Sequence, residues 1–207
     1  MPKRDLSTRE KYDRLARGYD LMELFPETLF FGRFRKALFA RIRGRTLLEV
    51  GVGTGKNIEY YPRDMEITAV DFSEEMLKRA RRRAEKLHAA VTLLQMDVEA
   101  LEFGTGSFDA VVSTFVFCSV PDPMRGLAEV KRVLQPQGAF YGLEHVRPHG
   151  RTLGKVFDRA APRIEDWTGV HIDRDTVDSI RHAGFAVELE ENLILDVFKM
   201  IVARPVP

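Results

Sequence analysis

Short apolar runs bounded by turn residues fall at Thr46–Gly51, Glu66–Phe72, Val91–Asp97, Phe108–Phe115 and Gly138–Val146, and each predicts a buried strand. Between them a helical period predicts helices at Lys56–Tyr61, Glu74–His88 and Pro123–Leu134. In the second of these, Met76, Leu77, Ala80, Ala84 and Leu87 mark the buried side, and Lys78, Arg79, Arg81, Arg82 and Arg83 mark a solvated one. Alternating strand and helix specify a mostly parallel sheet with helices on both faces. After Gly184 two strands follow in succession, about Ala186–Asn192 and Val197–Arg204, and without a crossover helix they should pair antiparallel. The expected fold is α/β: a doubly wound, seven-stranded, mostly parallel sheet with one antiparallel C-terminal strand.

Two stretches lie outside this pattern. Leu29, Phe30, Phe34, Ala37, Leu38 and Ile42 recur at helical spacing with Arg33, Arg35, Lys36, Arg41 and Arg43 interleaved. Residues 1–44 are therefore expected to form a helical cap or lid, its basic side in water or in peripheral contact with a membrane surface. Residues 147–184 interrupt the sheet and are expected to cover the site as an insertion. That segment mixes Leu153, Val156, Phe157, Ile164 and Trp167 with Arg147, Arg151, Lys155, Arg159 and Arg163, a combination suited to an amphiphile with an anionic group.

At 207 residues the chain suits one domain over residues 1–207. Its 44% hydrophobic and 30% charged content are ordinary for a globular protein, and no apolar run nears the roughly 20 residues that span a bilayer. A net charge of +1 gives no reason to expect nucleic acid as partner. The polar start, Met1-Pro2-Lys3-Arg4-Asp5, predicts no secretory leader and hence a cytoplasmic location, peripheral to a membrane if the basic helix touches one. Cys118, the one cysteine, excludes an intrachain disulfide, and no spacing of His145, His149 and His171 forms a recognisable metal motif.

The chemistry concentrates where the first strand ends. Leu47-Leu48-Glu49-Val50-Gly51-Val52-Gly53-Thr54-Gly55 is an apolar run turning through alternating glycines, and about twenty residues later Asp71 ends the next strand. In a doubly wound sheet this pairing presents a backbone that a ligand can approach and a carboxylate for a ribose diol. An adenosine-containing cofactor is expected. A dinucleotide fingerprint needs glycine where Lys56 stands; here the pattern is E-x-G-x-G-x-G.

That pattern resembles the first motif of class I S-adenosyl-L-methionine (SAM)-dependent methyltransferases. Ala69–Phe72, Gln95–Val98, Ser107–Val112 and Glu129–Gly138 resemble the family's further motifs in order, with Gln137 where a glycine usually stands. Tyr12-Asp13-Arg14-Leu15-Ala16-Arg17-Gly18-Tyr19-Asp20 resembles the leading segment of quinone-biosynthesis methyltransferases. Phe117-Cys118-Ser119-Val120 and Gly142-Leu143-Glu144-His145-Val146 resemble a subgroup that includes bacterial phospholipid N-methyltransferases and mammalian thiol methyltransferases.

The resemblance implies a Rossmann-like methyltransferase fold and SAM as cofactor, with S-adenosyl-L-homocysteine as product. It implies cofactor contacts from Glu49, Gly51, Gly53, Gly55, Asp71, Phe72, Ser73, Met76, Asp97, Val98, Thr114 and Phe115, with Tyr12 and Tyr19 closing over the cofactor. In this arrangement Asp97 accepts from the adenine amine and the Val98 N–H meets the ring. Tyr19, His145 and His171 are the candidates for acceptor chemistry, His145 first as proton acceptor or substrate contact. Methyl transfer needs no metal. The expected acceptor is a small molecule or lipid: a phospholipid amine such as phosphatidylethanolamine, then a quinone ring carbon, then a small thiol. A nicotinamide-dependent oxidoreductase and a non-catalytic SAM-binding partner protein are the readings from other classes.

Overall fold

The computed structural model describes residues 31–148, 150, 154, 157, 159, 161 and 171–206. Tyr12, Tyr19, His149 and Trp167 lie outside the described residues, as does most of the expected N-terminal cap. The described elements are α1 (Gly32–Phe39), β1 (Thr46–Val50), a 3-10 turn (Ile58–Tyr60), β2 (Glu66–Asp71), α2 (Glu74–Leu87), β3 (Thr92–Gln95), β4 (Phe108–Thr114), α3 (Pro123–Val133), β5 (Leu134–His145), α4 (Thr176–His182), β6 (Phe185–Ile194) and β7 (Phe198–Pro205).

Seven strands form one sheet in the order β3-β2-β1-β4-β5-β7-β6. β1 to β5 run parallel, and β7 is antiparallel to both β5 and β6, as the pattern predicts. Strand alternation divides the core. Leu48, Val50, Val70, Val111 and Phe140 face one way, packing with Leu127 and Val130 of α3 and Val177 and Ile180 of α4. Leu47, Ile67, Ala110, Val112 and Leu143 face the other, against Leu38 and Phe39 of α1. α2 covers the same side farther along, through Leu77, Ala80 and Ala84 packed with Val52 and Ala69.

Local chemistry fixes the helix starts. The Ser73 hydroxyl caps α2 by accepting from Met76 N, and Glu74 and Glu75 complement the helix dipole at that end. Asp122 caps α3 in the same way, with Pro123 in the first turn where its missing N–H costs nothing.

Three features depart from the sequence pattern. Lys56–Tyr61 is no α-helix: it holds only the 3-10 turn, because Asn57 is drawn inward to side chains of β1 and β4. β5 begins at Leu134 and reaches Gly138 through an irregular register against β4. The glycine serves close approach, since a Cβ there would meet the Asp109 carbonyl oxygen at 2.8 Å. Within the expected covering insertion, α4 is a crossover helix packed beneath the sheet, too short to leave a clear period.

Candidate active site

Strand order reverses between β1 and β4, and the crevice beyond their carboxyl ends is the position where doubly wound sheets bind ligands. A cavity of about 620 Å³ opens there, within the size range of small-molecule sites.

Its floor is the glycine loop. Gly53 has φ +54°, and a Cβ built there would meet no heavy atom within 4 Å, so the backbone lies bare to the cavity. Gly51 lines the cavity too, but its missing side chain makes room for Val116, 2.5 Å from where a Cβ would stand. At Gly55 a side chain is excluded by packing: a Cβ there would sit 2.6 Å from Ile58 Cδ1 and 3.1 Å from the Ala80 backbone. The third glycine therefore seats α2 and does not line the cavity.

Asp71 ends β2 with 6% exposure, and both of its oxygens are oriented by backbone amides. Oδ2 accepts from Gly53 N at 2.8 Å and Oδ1 from Ser73 N at 2.9 Å. One carboxylate thus fixes the glycine loop and the start of α2 together. Phe72, Met76, Asp97 and Val98 continue the wall on this side, with Gln95 bonded across to the Phe72 carbonyl. Thr114, Phe115, Val116 and Ser119 form the wall beyond β4, and Phe115 stands at φ +59°. The next turn is braced from the far segment: His171 N donates to the Cys118 carbonyl at 2.7 Å, and Arg174 Nη1 to the carbonyls of Phe117 and Val120.

Of the residues expected to contact a cofactor, Gly51, Gly53, Asp71, Phe72, Met76, Asp97, Val98, Thr114 and Phe115 line this cavity. Glu49, Gly55 and Ser73 do not. Ser73 is spent on capping. Glu49 points to the α1 side of the sheet, where it is fully buried: Oε1 accepts from Asn57 Nδ2 at 2.7 Å and Oε2 from the Tyr61 hydroxyl. Burial pushes its carboxyl up to about 7 against the lowering pull of Tyr61, Asn57 and Arg35, while burial and Glu49 together push the Tyr61 phenol well above its ordinary range.

Neither candidate histidine lines the cavity. His171 serves the brace through its backbone. His145, at the end of β5, stacks on Phe157 with ring centroids 5.7 Å apart and meets Phe198 edge-on at 5.3 Å. Burial lowers its imidazole to about 4, so it is neutral at physiological pH, and among the described residues Nδ1 has no hydrogen-bond partner. Phe198 in turn packs edge-on against Phe115 at 5.8 Å, and Phe31 contacts both rings at 5.0 Å. His145 is one aromatic ring removed from the cavity wall.

Sequence reasoning placed Arg35 on a solvated face and overlooked Asn57 and Tyr61. Arg35 is buried at 3% exposure, and Nη1 donates to Asn57 Oδ1 at 2.7 Å and to Thr114 Oγ1 at 2.8 Å. The signal was present: Arg35 falls three residues before Leu38, on the apolar stripe of α1. An overlooked acid, Glu144, is fully buried behind the β4 loop; its Oε1 accepts from Ser113 Oγ at 2.6 Å, and burial raises it to about 7. Among the described residues no cluster of three or more histidine, cysteine, aspartate or glutamate side chains is placed to hold a metal, and no helix is long and apolar enough to cross a membrane.

Residues 48–142 match the methyltransferase domain family. The chain is 38% identical over 143 residues to a phosphatidylethanolamine N-methyltransferase of Cereibacter sphaeroides, covering 68% of this chain and 70% of that protein. It is 34% identical over 183 residues to the thiol S-methyltransferase TMT1B of Rattus norvegicus, covering 84% of this chain and 73% of that one. In fold it is similar to a SAM-dependent methyltransferase from Thermotoga maritima, with a TM-score of 0.73 at 22% identity over 95% of this chain and 99% of the other.

Proposed function

This chain belongs to the class I SAM-dependent methyltransferases, and from that premise we propose that its methyl acceptor is the amine of a phospholipid of the phosphatidylethanolamine type. The cavity fits the cofactor: bare backbone at Gly53, a preset carboxylate at Asp71, and a volume large enough for a nucleoside with an amino-acid tail. In this reading Asp71 holds the ribose hydroxyls, and Asp97 and the Val98 N–H meet the adenine. SAM supplies an electrophilic methyl group on a sulfonium, so transfer is an in-line displacement. The chain's own work is to align the acceptor, exclude water and let the acceptor's proton leave.

The lipid reading is supported above all by Phe115, which lines the cavity and is backed by the rings of Phe31 and Phe198. An ammonium entering the apolar side of the cavity beside Phe115 is desolvated, which favours loss of its proton and exposes the nitrogen lone pair. His145 lies behind Phe198, outside the cavity, and with burial lowering its imidazole to about 4 it does not store the departing proton. The relative from Cereibacter sphaeroides supports the same acceptor class. Longer coverage by the rat thiol S-methyltransferase supports a second reading, transfer to a small thiol.

Methyl-labelled SAM, incubated with the protein and separately with phosphatidylethanolamine vesicles, a demethylated quinone and a small alkyl thiol, decides between them. Label in the monomethyl phospholipid is the expected result. Label in the thiol or quinone alone overturns the lipid assignment.

A further inference from the structure

The hairpin that joins β6 to β7 breaks the residue preference of its own turn. Val197 N donates to the Ile194 carbonyl at 2.9 Å, which leaves a two-residue loop, Leu195-Asp196, and both residues have positive φ, 48° and 55°. This is the pattern of a type I′ turn, where asparagine, aspartate and glycine are favoured because a larger side chain crowds the backbone at positive φ. Asp196 conforms, and Leu195 does not. Leu195 is also 80% exposed, the most exposed large hydrophobic side chain among the described residues, so no burial within the fold offsets its strained backbone. A residue that strains its turn and is left in water is explained by what it meets outside the chain.

β7 begins opposite the end of β5, with Phe198 paired to His145, so the turn projects beyond the carboxyl edge of the sheet, the edge at which the cavity opens. β7 lies two strands from β4, about 10 Å across the sheet, and Phe198 spans that gap by packing edge-on against Phe115 of the cavity at 5.8 Å. Charge around the turn is balanced from within: Lys199 Nζ stands 2.6 Å from Glu190 and 3.2 Å from Asp196, and Arg181 Nη2 stands 2.8 Å from Glu190. We propose that the Leu195 turn is a membrane-contact element, which inserts its leucine into a zwitterionic phospholipid surface and sets the cavity mouth against it. The choice of a lipid as partner rests on the acceptor reading above. An apolar tip whose neighbouring charges cancel suits a surface that is itself neutral, because burial of the leucine then supplies the attraction without counter-charges. A phospholipid headgroup leaving that surface at the carboxyl edge meets Phe115 first.

Co-sedimentation of the full chain with vesicles of phosphatidylcholine and phosphatidylethanolamine, at low and at high salt and without SAM, tests this. Leu195→Asn removes the apolar side chain at a position that asparagine favours, and Leu87→Asn does the same to an exposed leucine at the end of α2, on the opposite edge of the sheet. Wild type is expected to sediment equally at both salt concentrations, Leu195→Asn to bind about tenfold more weakly, and Leu87→Asn to stay within about twofold of wild type. Because the turn is relieved of strain, Leu195→Asn should melt at or above the wild-type temperature while losing the membrane, a pairing that damage to the fold would not produce. Equal binding by wild type and Leu195→Asn, or equal loss in both variants, would overturn the proposal. So would wild type that sediments only with added anionic lipid, or a dimer in sedimentation velocity that Leu195→Asn dissolves, which would assign the turn to a second copy of the chain. Labelled SAM keeps the two readings apart. Wild type that methylates detergent-dispersed phosphatidylethanolamine but ignores vesicles loses the membrane turn and keeps the acceptor; wild type that sediments through Leu195 and labels no phospholipid keeps the turn and loses the acceptor.

Discussion

At the N-terminal edge of the sheet, Asp109 accepts hydrogen bonds from Arg45 N at 2.7 Å, Thr46 N at 3.0 Å and the Thr46 hydroxyl at 3.2 Å, and these donors hold its carboxyl below the ordinary range. Near the C-terminal edge, Glu49 and Glu144 are fully buried, and desolvation raises each to about 7. The first carboxylate is satisfied and fastens β4 to β1. The other two sit directly behind the cavity wall in an environment that penalises their charge. An acid kept near neutrality at the cost of stability belongs to a region shaped by ligand chemistry, whereas a fully solvated-by-backbone acid belongs to one shaped by folding.

The contrast carries opposite signs with pH, and this is its largest measurable consequence. Asp109 has a lowered pKa, so its stabilisation is present above the ordinary carboxylate range and is lost as pH falls through its folded value. Glu49 and Glu144 have raised pKa values, so their contribution is present below about 4.5 and is lost as pH rises to about 7. For Glu144 the shift corresponds to roughly 3 kcal/mol at most. Urea unfolding at intervals from pH 5 to 8 should show wild type losing stability relative to Glu144→Gln across that window. Parallel curves would erase the distinction between the two edges.

A pair of glycines gives the next, smaller effect. Gly53→Ala places a methyl group in a left-handed position facing the cavity, and Gly138→Ala drives one against the Asp109 carbonyl at the other edge. Each should cost about 1–3 kcal/mol of stability by strain or overpacking. Only Gly53→Ala should also weaken S-adenosyl-L-homocysteine, by about tenfold or more, because only there does the added carbon occupy ligand space. Equal weakening in both variants would show that the edges are not functionally separate.

What could be read in the sequence follows the same division. The strands of the sheet were legible because their apolar runs are long and local, and Gly51, Gly53 and Asp71 because a loop between β1 and β2 needs those residue types at that spacing. Arg35 was misread because a helical arginine is ordinarily solvated; its burial depends on Asn57 and Thr114, 22 and 79 residues away. Asn57 likewise left the helix expected at Lys56–Tyr61 for partners on two strands. Glu49 was recognised by its motif, while its partners Asn57 and Tyr61 were not, since alternation along β1 turns it to the α1 side of the sheet. α4 was missed because seven residues hold too few apolar repeats to establish a period.

The central claim is that the crevice above Gly53 binds the adenosyl cofactor through Asp71. Titration of S-adenosyl-L-homocysteine into wild type and Asp71→Asn tests it most directly. Single-site binding in the wild type, weakened by about tenfold or more in a variant that still folds, is the predicted result, in line with the loss of a hydrogen bond to a charged group. Equal affinity in the two proteins would contradict it.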